Sequence, residues 1–379
     1  MKPLQYTYSG NLSLQDLLGE NILYRDLNPV SEHYPSFQML RRKLGIQQAF
    51  PPRKNSPQYV EIILEYLRLS QPEPFDQLLF FGDTPGYDGA LIRNLSKIND
   101  LRVFGFIGKE ALSEAPALAD HTPIFLSNRW NLIPAFLGLI QKKGFHRDRP
   151  TAVIFDMDKT LIGARGRNDA VIDEARMEGV KKLIQKTLQE EWDKAHFFLI
   201  YNTFNQARYH FLTEDNQDYL AFVCLMILAN VWRFEELLDF FIQKKITTFQ
   251  AFLDQTAARL QTHMSPAVQD YFEEVFPAVS RGDPTPFVSF RRMEYLATIE
   301  RIDSGLNRDP EEILRSEITL TQELVDLITF LKDKNFGPIW CISDKPPQST
   351  FPTESLEKQG YIALHKKPMK VVGLSLKNL

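Results

Sequence analysis

The chain has two cysteines, Cys224 and Cys341, in 379 residues. Two thiols cannot build a disulfide framework and are too few for a cysteine zinc site. The seven histidines include no HExxH arrangement, which excludes that class of zinc hydrolase. A reducing, cytoplasmic location is the expectation. Long apolar runs are missing too. The longest, Tyr219 to Ala229, has eleven residues. A bilayer crossing takes about twenty, so no membrane partner is expected. The opening MKPLQYTYSG carries no apolar leader core. Neither sign of charge dominates: the net charge is −4 and no basic run marks a nucleic-acid footprint. No internal repeat is visible.

What the chain does have is 44% hydrophobic and 12% aromatic residues, enough to fill real cores and to exclude wholesale disorder. Short apolar runs end in polar residues: LLFF (78–81) before Gly82-Asp83, AVIF (152–155) before Asp156, and PIWCI (338–342) before Ser343. LRVFGFI (101–107) and YIAL (361–364) are similar. Such runs predict fully buried strands of a parallel sheet. Helical patterns lie between them at 58–69, 131–143 and 321–335. The expected fold is therefore α/β, a doubly wound, Rossmann-like parallel sheet. Residues 163–318 lack a clear strand and predict an all-helical insertion, with PAVSRGDPTP (277–286) as its plainest loop. The core would then be 1–162 with 319–379. The first 45 residues show only a short helical pattern at LSLQDLLGENI.

Ligands of an open parallel sheet sit at the carboxyl edge of the strands, which would gather Asp83, Asp156 and Ser343. Asp156 and Asp158 in FDMDKTL put two carboxylates at a strand end, suited to a nucleophile and a proton donor. A capped helix start is the plainer alternative. In GDTPGYDG, Asp83 and Asp88 flank a Gly/Pro turn and could hold a hard cation. An ordinary turn, or the Asp-x-x-Gly segment of a GTPase, competes with this. The GTPase would also need a GxxxxGK[ST] loop, and Gly108-Lys109-Glu110 does not supply one. Ser343, before Asp344-Lys345, could bind a phosphoryl oxygen or simply start a loop. Lys54 in RKNSPQY, with Lys366-Lys367 as rivals, could offset the anionic charge. The aromatics Phe197, Phe198, Tyr201, Phe204, Tyr209 and Phe211, with Arg208 and His210 among them, fit a buried helix face better than a ligand surface.

Taken together, these four pieces resemble the haloacid dehalogenase superfamily of phosphohydrolases. FDMDKTL resembles its first motif, ISD its second, RKNSPQY its third and GDTPGYD its fourth. The family order is first to fourth; here it runs third, fourth, first, second, which is the same cycle cut once. The resemblance therefore implies a circularly permuted core, with the old ends joined through 109–150 and new ends opened after YIAL. It covers roughly 50–165 and 320–365. The insertion after the first motif occupies the place of a helical cap that selects substrate.

The resemblance also implies an activity: a Mg²⁺-dependent phosphatase of a small phosphorylated metabolite, acting through an aspartyl-phosphate. Asp156 would be the nucleophile and Asp158 the acid and base. Mg²⁺ would be held by Asp156, Asp83, the Asp158 carbonyl and Asp88, directly or behind a direct ligand. Lys54 and Ser343 would bind phosphate, with Thr160 tying the loop beside them. Alternatives are a phosphotransferase or phosphomutase, a non-catalytic binding protein of the same fold, and a phospho-accepting receiver domain, against which the Asp-x-Asp spacing and the long insertion argue. Neither the substrate nor the oligomeric state is legible.

Overall fold

The computed structural model describes residues 5–71, 73–189, 192–260, 266–302, 305 and 308–376. In chain order its elements begin with β1 (Thr7–Leu12), α1 (Leu14–Leu18), β2 (Ile22–Leu23), α2 (Phe37–Leu44), α3 (Pro57–Leu69), β3 (Gln77–Gly82), α4 (Tyr87–Leu95), β4 (Arg102–Gly108), β5 (Leu118–His121), β6 (Ile124–Ser127), α5 (Ile133–Lys142) and β7 (Thr151–Asp156). Helices follow: α6 (Asp169–Leu188), α7 (Lys194–Phe204), α8 (His210–Thr213), α9 (Gln217–Leu228), α10 (Phe234–Ile242), α11 (Phe249–Leu260), α12 (Pro266–Ser280), α13 (Val288–Glu300) and α14 (Pro310–Ser316). The chain closes with β8 (Leu320–Thr321), α15 (Gln322–Asp333), β9 (Ile339–Ile342), α16 (Glu354–Glu357) and β10 (Met369–Gly373). Two compact units result, one from Met1–Asp173 with Ile299–Leu379, the other Glu174–Thr298.

The first unit is α/β. Its seven-stranded sheet has the order β2-β9-β7-β3-β4-β6-β5, parallel throughout except for the β5–β6 hairpin. The strands are apolar on both faces because both faces are covered. Leu78, Phe80, Ala152, Ile154, Trp340 and Ile342 join a core with residues of α2, α3 and α4. On the other face Phe81 stacks on Phe155 at 5.0 Å and meets Phe136 of α5 edge-on at 5.8 Å. Each such side chain contributes about 1.5–3 kcal/mol by leaving water. Register fixes the working edge. Phe81 lies opposite Phe155 and Asp156 opposite Ile342, so Asp83, Asp156 and Ser343 leave three adjacent strands at one end.

Three expectations are corrected, and two features are added. YIAL is not a strand. Ala363 and Leu364 are buried, but Tyr361 N–H bonds back to Leu356 and Leu364 N–H to Thr350, so the backbone closes on local turns instead of a ladder. The sheet edge beside β9 is taken by β2, from the segment least legible in sequence. A second, three-stranded sheet, β1-β10-β8, went unforeseen; β8 is two residues long and β1, TYSGNL, reads as polar. The loop expected at 277–286 begins later, because Pro277 to Ser280 complete α12. Finally, residues 163–173 and 299–318 cluster with the α/β unit, so the helical unit is narrower than 163–318.

The second unit is helical in its described residues. Tyr219 to Leu228 of α9 are all buried and pack among Trp232, Phe249, Phe252 and Phe287. Tyr219 stacks on Phe249 at 3.8 Å. Phe197, Tyr201 and Phe204 are in the same core, while Phe211 is exposed. A buried charge network crosses it: Arg291 Nε donates to Asp218 at 2.9 Å and Nη1 to Glu294 at 2.7 Å. Both cysteines are free and buried. Among the described residues no helix is long and apolar enough to cross a membrane.

Candidate active site

Asp156 ends β7, and its carboxylate is met by Lys54, which arrives from the loop before α3. That loop is held from two sides. The Arg25 backbone N–H donates to the Lys345 carbonyl at 2.9 Å, and Arg25 Nη1 donates to the Pro52 carbonyl at 2.8 Å. One buried arginine thus couples the Lys54 segment to the loop that leaves β9. Nothing in the spacing of the sequence pointed to Arg25. Lys54 also reaches Asp88 at 3.3 Å and Asp344 at 3.8 Å. Among the described residues, Lys366 and Lys367 pair with none of these acids, whereas Lys54 pairs with three of them.

Asp88 is the frame of the turn after β3. Its Oδ2 accepts from Asp83 N–H, Thr84 N–H and Thr84 Oγ1, each at 3.0 Å, and its Oδ1 accepts from Lys54. Both oxygens are therefore in use, which makes Asp88 an organiser of the turn more than an open ligand. Gly82 is required by this packing: a Cβ there would lie 2.6 Å from Asp88 Oδ2 and 2.8 Å from the Phe80 ring.

Asp158 faces Lys345 at 3.5 Å. Lys345 is buried and was not singled out from the sequence. Its backbone N–H donates to Ser343 Oγ at 3.0 Å, so Ser343 turns its hydroxyl toward the loop following β9. The Thr160 hydroxyl is buried and has no hydrogen-bond partner among the described residues. The tie to this loop runs instead through its carbonyl, which accepts from Thr321 Oγ1. That reverses the expected role of the Thr160 side chain.

The loop continues to Arg165, whose Nε donates to Asp83. Its position is set by the backbone. Glu110 N–H donates to the Arg165 carbonyl at 2.9 Å, and Gly166, with φ +80°, comes so close to Glu110 that a Cβ would meet its carbonyl oxygen at 2.0 Å. Two residues on, buried Arg167 bridges Glu110 and Glu323, each at 2.7 Å. Both arginines escaped the sequence reading, because a lone arginine after a motif has no spacing that marks it.

The electrostatics are strained toward negative charge. Among the described residues, the five carboxylates Asp83, Asp88, Asp156, Asp158 and Asp344 are paired with the three cations Lys54, Lys345 and Arg165. Burial pushes the Asp83 carboxyl up to about 7, with Asp88 adding to it and Arg165 opposing. Burial raises Asp156 as well, helped by Asp88 and Asp83 against the pull of Lys54. Burial would raise Asp88 too, but Lys54 and the Thr84 and Asp83 N–H groups bring it below its ordinary value. Burial disfavours the Lys54 ammonium, yet Asp156, Asp88 and Asp344 more than offset that and keep it charged. Oxygens of Asp83, Asp88 and Asp156 lie within 4.8 Å of one another, a spacing that one hard cation could bridge. No family model, no curated protein and no solved structure matches the chain.

Proposed function

We propose that the protein is a Mg²⁺-dependent phosphohydrolase of the haloacid dehalogenase type, acting on a phosphate monoester of a small metabolite. One observation carries this reading: four segments far apart in the chain place Lys54, Asp83, Asp156 and Ser343 at the end of three adjacent parallel strands. The chain order of those segments is what a circular permutation of the family core would give, with β2 supplying the edge next to β9. The donor set fits a divalent ion, because the cluster has more carboxylates than cationic side chains and the chemistry of its ligands is all oxygen. Asp156 and Asp83 would hold it, with Asp88 fixing the turn behind them. When bound, the ion neutralises charge on the phosphoryl oxygens.

The side chains then divide the work. Lys54 and Ser343 hold phosphoryl oxygens in line with Asp156. Asp156 Oδ attacks phosphorus, and the ester oxygen leaves with the Asp158 proton. Water next attacks the aspartyl-phosphate, giving its proton to Asp158, and the P–Oδ bond breaks to release phosphate. Lys345, 3.5 Å from Asp158, holds that carboxyl group in place beside the reacting oxygens. The helical unit, inserted directly after the Asp156 loop, is assigned substrate selection in this reading.

The test is a panel of phosphorylated metabolites assayed for inorganic phosphate release with and without Mg²⁺. Release that needs Mg²⁺ and no added acceptor supports hydrolysis. Turnover only with an acceptor alcohol would move the assignment to a phosphotransferase, and no turnover across the panel would count against catalysis.

A further inference from the structure

Arg165 is, with Lys345, one of two cationic side chains of the cluster that no motif anticipated. It is also the least buried, 27% exposed against 3% for Lys54 and 4% for Lys345. Its Nε is committed to Asp83, while its η nitrogens make no hydrogen bond among the described residues. Its other anionic neighbours, Asp169 and Asp173, are engaged elsewhere. Asp169 accepts from Gly166 N–H at 2.9 Å, and Asp173 pairs with Lys159 at 2.7 Å. The guanidinium therefore holds one of the three carboxylates that could bridge a cation and keeps its fork of η donors open.

A second, independent feature lies on the Lys54 side of the same cluster. The Tyr59 hydroxyl is buried, 1% exposed, with no hydrogen-bond partner among the described residues. Its electrostatic neighbours include Lys54, Asp344 and Asp156. An orphaned buried hydroxyl beside a charged cluster is satisfied when an anionic oxygen comes within reach.

We propose that Arg165 and a divalent cation compete for the Asp83 carboxylate, and that displaced Arg165 binds an anionic oxygen of the substrate through its η nitrogens. This rests on the cation-dependent reading above. A divalent ion shared between Asp83 and Asp156 attracts Asp83 more strongly than a single guanidinium does, and the planar fork of arginine suits phosphoryl or carboxylate oxygens. Cation and anion then bind cooperatively, since each removes a cost of the other, and the coupling is reciprocal.

The experiment is a calorimetric titration of EDTA-treated full-length protein with Mn²⁺, alone and with inorganic phosphate, for wild type, Arg165→Gln and Arg165→Lys. The loop should survive substitution, because Glu110 N–H and Trp130 Nε1 hold the Arg165 carbonyl and Arg165 N–H donates to Lys159. Arg165→Gln should bind Mn²⁺ roughly tenfold more tightly than wild type, within the usual range of coupling between sites. Phosphate should tighten Mn²⁺ binding in wild type and much less in Arg165→Gln, with Arg165→Lys between them. Equal or weaker Mn²⁺ binding by Arg165→Gln overturns the proposal. If wild type binds no Mn²⁺, the cation-dependent reading falls with it; if wild type binds and the variants match it, only the role of Arg165 is lost.

Discussion

Lys54 lies against Asp156, 102 positions further along the chain, and both side chains are buried. Removing one partner of such a pair leaves an uncompensated charge, which typically costs about 3–5 kcal/mol. Lys54→Met should therefore destabilise the α/β unit by that order, with the loss shrinking as pH falls, because burial already raises the Asp156 carboxyl and a proton can replace the lost ammonium. Lys54→Met/Asp156→Asn should recover part of the loss. Urea denaturation of the two single variants and the double variant measures the coupling; simple additivity would contradict it.

Asp83 gives stability a definite pH dependence. Its folded value of about 7 lies above the ordinary 3.8. Between these two values the folded protein keeps a proton that the unfolded chain has released. Its stabilising effect is complete below about 4 and is lost as pH rises through about 7. EDTA-treated wild type should lose up to about 4 kcal/mol more than Asp83→Asn between pH 4 and pH 8. Parallel curves for the two proteins would refute the assignment. Added Mg²⁺ should stabilise wild type more at pH 8 than at pH 5.

Gly82→Ala places a methyl group against the carboxylate of Asp88 and the ring of Phe80. The expected loss is about 1–3 kcal/mol from overpacking. The more telling effect is on the Asp83 turn, whose N–H bonds to Asp88 would be disturbed. Cation affinity measured by calorimetry should fall together with stability. A variant that is as stable and as tight as wild type would show that this close approach does not organise the turn.

The helical unit supplies a prediction independent of the proposed chemistry. Asp218 accepts from Arg291 and from Phe287 N–H while fully buried. Among the described residues, Asp218→Ala leaves the Arg291 guanidinium with Glu294 as its remaining carboxylate, at a cost of about 3–5 kcal/mol. Tryptophan fluorescence of Trp232, in the same core, should follow the loss. Unchanged unfolding would mean that this network contributes little.

The parts of the fold that were legible are those whose physics is local. β3, β7 and β9 were visible because a strand buried on both faces is an uninterrupted apolar run, and Gly82-Asp83, Asp156 and Ser343 mark where each run stops. The helical character of 174–298 followed from helix formers with aromatic residues at helical spacing. YIAL misled because four apolar residues serve a buried turn as well as a strand. β1, β2 and β8 were hidden because each owes its existence to a partner far along the chain. For the same reason Arg25, Arg165 and Lys345 could not be found: a single cation acquires meaning only when folding brings it to Pro52, Asp83 or Asp158. The acids were legible as motifs; the cations that balance them were legible only for Lys54.

The central claim is that Asp156 is the nucleophile that accepts the phosphoryl group. Rapid acid quench during turnover of the best substrate from the metabolite panel, followed by peptide mass spectrometry, tests it directly. Wild type with Mg²⁺ should carry one phosphoryl group on the peptide containing Asp156, and Asp156→Asn should carry none while losing about a thousandfold or more of the turnover. Phosphate on another residue, or turnover that survives in Asp156→Asn, would contradict the account.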